Sequence, residues 1–208
     1  MALEKIAFNL GRNDEEPNII LANELYNSRS KKEIKEIVDG LYNDNEQIAN
    51  DCIKVLYEIG ERDPNLIAEY VLNFIKLLGG KNNRLIWGSM TALAKIASLK
   101  AKEIYENLEV IIKAYEKGSV ITVDNSISVF AEICSRNTEY EKVVFPIIAK
   151  HLRECRPKEV PQHCERAIVC INKNNANEFV KILKERINVL SETQQKRVSK
   201  IIRKAEEI

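Results

Sequence analysis

Four segments of the chain superpose on one another at a spacing of 37 or 38 residues, and their apolar positions coincide in the overlay. In one stretch the columns read Ile34, Val71, Leu108 and Phe145; then Ile37, Phe74, Ile111 and Ile148; then Leu41, Leu78, Tyr115 and Leu152. The stretch that follows gives Cys52, Ser89, Ser126 and Cys164; then Leu56, Leu93, Phe130 and Ile168; then Ile59, Ile96, Ile133 and Ile171. A helical hairpin of this length cannot bury its apolar face alone and must pass it to a neighbour. The spacing therefore predicts an all-α chain of stacked helical pairs.

The expected layout is a single domain over 1–208. It has a partial unit at 1–30, full units at 31–63, 64–101, 102–138 and 139–175, and a shortened last unit at 176–208. Leu3, Ile6, Ala7 and Leu10 have the spacing of a short amphipathic helix. Ser30 with Glu33, Thr138 with Glu141, Asn175 with Glu178 and Ser191 with Gln194 have the form of N-terminal capping boxes. Asp63 before Pro64 predicts the start of a helix that continues to Leu78, because proline at the first helical position lacks only an amide hydrogen that had no partner. A further helix is expected over about Glu103 to Glu116. Gly79-Gly80 and Gly118-Ser119 read as the turns between paired helices.

Seven glycines and five prolines in 208 residues leave little room for the many turns of an all-β fold. At 45% apolar and 30% charged residues, the chain has enough material for a core and is too apolar for disorder. Residues 1–10 carry Glu4 and Lys5 and no long apolar run, which predicts neither a signal peptide nor a membrane span. The five cysteines have no framework spacing, and two occupy a column otherwise filled by serine. They read as small core residues in a reducing setting, so the expected location is the cytoplasm.

Within Asp44 to Leu56, a turn aspartate precedes Ile48, Cys52 and Leu56, and Pro146 sits inside Val143-Val144-Phe145-Pro146-Ile147-Ile148. In these residues the chain resembles the HEAT repeat family, in a divergent form that leaves individual pairs open to an armadillo-like assignment. The arginine that often follows the family's aliphatic residue is replaced by Ala49, Ile86, Val123 and Pro161, and the other units lack the turn aspartate. The resemblance implies a right-handed superhelix of about four full repeats whose second helices line a concave surface, used for binding and usually for binding protein.

Subtracting the inward columns from each second helix leaves a mixed polar strip. It holds Gln47, Asn50, Asp51, Lys54 and Glu58; then Arg84, Trp87, Thr91 and Lys95; then Asp124, Asn125, Ser128 and Glu132; then Gln162, His163, Arg166 and Cys170. Trp87 is the sole tryptophan and shares its column with Asn50, Asp124 and Gln162, so an aromatic ring stands where the other units place a polar group. Aromatic anchors among polar neighbours dominate many interfaces. The binding residues expected from the sequence are Asn50, Lys54, Trp87, Thr91, Asp124, Ser128, Gln162 and Arg166. Another protein is the expected partner, on a non-catalytic scaffold. Charge is divided unevenly, with 8 Lys/Arg against 15 Asp/Glu over 1–70 and 15 against 9 over 140–208. Such a division favours oriented docking or head-to-tail association of copies.

The alternative is a nucleic-acid-binding protein of the same architecture. Trp87 and Asp124 share a column in adjacent units and Arg166 lies one unit further on, a constellation similar to that of some alkylpurine DNA glycosylases built on helical repeats. The basic cluster from Lys181 through Lys204 is the best phosphate-binding candidate, although it lacks interleaved aromatics. Neither histidine is followed by glutamate, which separates the chain from repeat hydroxylases with paired His-Glu steps. His151 and Cys155 have the i, i+4 spacing of metal ligands, but His163 belongs to the polar strip and Cys164 to the inward column, so the set is expected to point apart. No metal, cofactor, phosphate loop or nucleophile motif is expected.

Overall fold

A computed structural model describes all residues, 1–208, and contains helices without strands. Twelve α-helices follow one another: α1 (Glu16–Ser28), α2 (Lys31–Gly40), α3 (Glu46–Arg62), α4 (Val71–Leu77), α5 (Asn83–Ile96) and α6 (Ala101–Glu106). They continue as α7 (Leu108–Lys117), α8 (Val120–Cys134), α9 (Thr138–Glu154), α10 (Val160–Ala167), α11 (Ala176–Arg186) and α12 (Glu192–Glu206). The chain forms two compact units, Met1–Ser126 and Ile127–Ile208. No helix is long and apolar enough to cross a membrane.

In the first unit α3 packs against α1, α2 and α5, and α4 packs against α5. The sequence columns are its core: Ile37, Phe74, Ile111, Leu56, Leu93, Ile59 and Ile96 are fully buried. Small residues at Cys52, Ser89 and Ser126, also fully buried, let the second helices approach. At Gly88 a Cβ would lie 2.6 Å from Ile53 Cγ1 and 3.1 Å from its Cγ2, so a side chain there would force Ile53 to move.

Two predicted helices are broken in this unit, each for a local reason. After Pro64 the chain makes two short 3-10 turns, Pro64–Leu66 and Ala68–Tyr70, before α4 begins. The break lies at Ile67, which is fully buried and whose side chain occupies the space a Cβ on Gly60 would need. In the next repeat of this unit α6 and α7 are separated at Asn107, whose Nδ2 donates to Glu103 O at 2.8 Å and competes for a carbonyl of the helical ladder. That repeat therefore has three helices, α6, α7 and α8, rather than a pair.

The N-terminal segment also departs from expectation, because only Ala2–Lys5 is helical, as a 3-10 turn, and Leu10 is exposed. Side chains from elsewhere take its amide groups: Glu36 accepts from Ala2 N and Leu3 N, Asn18 from Ala7 N, and Asp51 from Phe8 N. A segment tied down group by group has no need of a helical ladder.

In the second unit α10 packs against both α9 and α12, while α11 packs against α9 and α12. Ile148, Leu152, Cys164, Phe179 and Val198 are fully buried, and Arg197, Lys200, Arg203 and Lys204 line the outer side of α12. Ser191 caps α12 with Gln194 as expected, Gln194 Oε1 accepting from Ser191 N at 2.9 Å. The other two expected boxes in this unit do not form. Asn137 caps α9 in place of Thr138, accepting from Tyr140 N, and Glu141 instead accepts from Asn172 and Asn175. All five cysteines are free thiols.

Candidate functional site

The local cause of the site in the first unit is the pair of side-by-side helices α3 and α5. Each buries one stripe and leaves the opposite stripe partly open. The structure brings Asn50, Trp87 and Thr91 into one connected surface of this unit, with Lys54 buried beside Tyr57. Trp87 is half-buried. Its ring lies 5.9 Å from that of Tyr57, tilted by 43°, and the Arg84 guanidinium stands over it at 4.3 Å. One face of the indole is thus already stacked within the protein, an arrangement that fixes the ring without sealing it.

Polar groups surround this aromatic centre in a chain of bonds. Asn82 caps α5, accepting from Arg84 N at 2.9 Å, and donates through Nδ2 to Asn50 Oδ1 at 3.0 Å. Thr91 donates to Trp87 O at 2.8 Å and accepts from Asn125 Nδ2 at 3.1 Å. Asp124 precedes Asn125 on α8 and is half-buried. Half-exposed amides and hydroxyls of this kind offer both donors and acceptors, the two functions an extended backbone needs.

Lys54 behaves differently from expectation, because it is 8% exposed rather than open to a ligand. Its Nζ pairs with Glu58 at 2.8 Å and Glu15 at 3.1 Å and stands 4.9 Å from the Tyr57 ring centre. Burial pulls its pKa down, but the bonds to Glu58 and Glu15 and the field at Tyr57 outweigh this and leave it raised. Glu58 is the mirror case: burial pushes it up, and Lys54 and Arg62 hold it below the ordinary value. Glu15 is likewise pushed up by partial burial and held low by Arg84 and Lys54. Arg62 bonds Glu58 at 2.9 Å, and Lys95 pairs with Glu61. The charges on this surface therefore neutralise one another.

Of the strip residues named from the sequence, Asp51 is committed to the N-terminal segment and to Asn18 at 2.8 Å. Glu15, Tyr57 and Asn82 were missed. Asn82 had a readable signal, an asparagine directly before a helix. Tyr57 lies one position off the strip. Glu15 belongs to the partial first unit, where no repeat register exists to point at it.

In the second unit the remaining three expected residues are Ser128, Gln162 and Arg166, all half-buried. Arg166 Nη1 donates to Ser128 Oγ at 2.7 Å. His163 and Cys170 do not belong to a polar strip: His163 is fully buried and Cys170 is 2% exposed. On α10 the ring of His163 meets that of His151 on α9, so this stripe is buried as well. His163 Nδ1 lies 2.7 Å from His151 Nε2, and the ligand atoms of His151, Cys155 and His163 all lie within 4.8 Å of one another. His163 therefore lies with His151 and Cys155 rather than on an open polar strip, while Cys164 and Cys170 are not part of the cluster.

Neither a family model nor a curated protein matches the sequence. The fold does match solved structures. An engineered protein aligns over 100% of this chain and 97% of its own, with a TM-score of 0.65 at 18% identity. A designed armadillo repeat protein in complex with peptide (KR)4 aligns over 98% and 97%, with a TM-score of 0.66 at 16% identity. Computationally designed armadillo repeat proteins for modular peptide recognition align over 98% of each chain, with a TM-score of 0.64 at 16% identity. The chain has the fold of the armadillo/HEAT-like helical-repeat solenoids, as a divergent example.

Proposed function

We propose that this chain is a non-catalytic binding scaffold whose α3–α5 surface holds an extended segment of a partner protein. The observation that carries the reading is the half-buried Trp87, fixed by Arg84 and Tyr57 and bordered by Asn50, Asn82, Thr91 and Asn125. A fixed aromatic supplies an anchor at low entropic cost, and the amides supply register along a backbone. Designed proteins of the same fold recognise peptides, one of them the basic peptide (KR)4. The carboxylates on this surface are already paired to Lys54, Arg84, Arg62 and Lys95, so a segment of mixed sequence suits it better than a run of lysine and arginine. The same pairing disfavours nucleic acid on this surface, because those cations are not free to neutralise phosphates. The cytoplasm is the proposed setting, supported by five thiols without a bridge.

The test is to pan a displayed library of random peptides against the full chain. Selected peptides are expected to bind Trp87→Ala about tenfold or more weakly, while binding Arg166→Ala as they bind the parent. Equal binding to Trp87→Ala removes the reading. Duplex DNA titrated across a salt series provides the contrast, and tight, steeply salt-dependent binding favours the nucleic-acid alternative.

A further inference from the structure

The second unit contains a cluster that the docking surface does not use. His151 lies in the last turn of α9, Cys155 directly follows that helix, and His163 lies on α10. We propose that His151, Cys155 and His163 form a binding site for one divalent transition ion of the zinc class, joining the end of α9 to α10.

The donor set points to this class of ion. Two imidazole nitrogens and one sulfur suit zinc, cobalt and their neighbours, whereas magnesium and calcium require oxygen ligands that this cluster lacks. The distances are close to those required. Tetrahedral coordination with metal–nitrogen bonds of about 2.0 Å and a metal–sulfur bond of about 2.3 Å sets its ligand atoms roughly 3.3–3.6 Å apart. The nitrogens here are 2.7 Å apart, bridged by a hydrogen bond, and the three ligand atoms span at most 4.8 Å. An ion that replaces the shared proton must part the rings by about 0.6 Å and draw the sulfur in by about 1 Å. These are small movements for side chains.

The backbone favours the second movement. Cys155 sits just past the helix with an extended ψ of 159°, and its Sγ makes only a long contact of 4.0 Å to Leu152 O. Its backbone, by contrast, is held. Cys155 N donates to His151 O at 2.8 Å, and Arg186 donates to Cys155 O at 2.6 Å and to Arg153 O. The half-exposed sulfur gives the ion a way in, while fully buried His163 forms the floor of the site. Three protein ligands leave a fourth position for water or an external group.

The experiment uses the full chain and cobalt(II) as the probe. One equivalent is expected to give a thiolate-to-cobalt charge-transfer band together with the visible bands of a tetrahedral ion, and zinc should displace it. Zinc should also raise the melting temperature of the parent protein, since binding to the folded state stabilises it. Cys155→Ser should abolish the charge-transfer band, lower the cobalt affinity by about tenfold or more, and lose most of the zinc-dependent melting shift. His163→Asn should lose the site as well. Should that variant fail to fold, Cys155→Ser decides alone, because its side chain is half-exposed at a helix terminus. A parent protein that gives no charge-transfer band, or a Cys155→Ser protein that retains it, overturns the proposal.

Discussion

Helices α3, α8 and α10 carry one column of the repeat, Asp51, Asn125 and His163, yet they bury it differently. On α3 and α8 the column stays half-buried, with Asp51 and Asn125 hydrogen-bonded to Asn18 and Thr91. On α10 the same column, at His163, is fully buried against His151. Helices α3 and α10 each have several helical neighbours; the difference is that His163 meets the ring of His151 on α9. A repeat thus specifies which stripe faces the next unit. What the opposite stripe meets depends on the neighbours, and a change of neighbour converts a half-open polar strip into core.

The largest expected effect tests the shared part of the two regions. Ile96→Asp, at a fully buried core column, should cost more than about 4 kcal/mol and abolish the cooperative urea transition of the first unit, because an unpaired charge would be trapped among apolar side chains. Next, His163→Ala should lower stability by about 2–3 kcal/mol, whereas Asn125→Ala, at the equivalent position of α8, should cost less than about 1 kcal/mol in the same unfolding assay. Equal losses would erase the difference between the two regions.

A finer contrast lies within the small-residue column. Ser126 Oγ donates to Thr122 O at 2.8 Å, whereas Ser89 Oγ is buried without a partner. Ser126→Ala should therefore cost about 1 kcal/mol, and Ser89→Ala should be neutral or stabilising when midpoints of urea unfolding are compared. The smallest effect is electrostatic. Glu58 and Glu15 have folded pKa values below the ordinary 4.5, so their contribution is present above about pH 4.5 and is lost as pH falls through the depressed values. Melting temperatures recorded from pH 6 to pH 3 should decline more gently in Glu58→Gln than in the parent.

Much of the fold is legible in the sequence because burial imposes a period. Ile37, Phe74, Ile111 and Ile148, read as one column, are all fully buried. The breaks at Ile67 and Asn107 are not legible in that way. One depends on a glycine several residues earlier, whose missing Cβ is filled by the isoleucine, and the other on a side chain competing for a backbone carbonyl. The candidate site is half legible. Trp87 stands out because it violates its column, but Lys54 looks equally available until Glu15 and Glu58 are seen to enclose it. Glu15 comes from the partial first unit, so no periodicity could link it to α3.

The central claim is that a partner segment docks against Trp87, and the single tryptophan of the chain makes its emission a direct reporter. Titrating a library-selected peptide into the protein should shift that emission saturably, with a midpoint equal to the dissociation constant found by calorimetry. Full calorimetric binding with the emission unchanged would contradict the account.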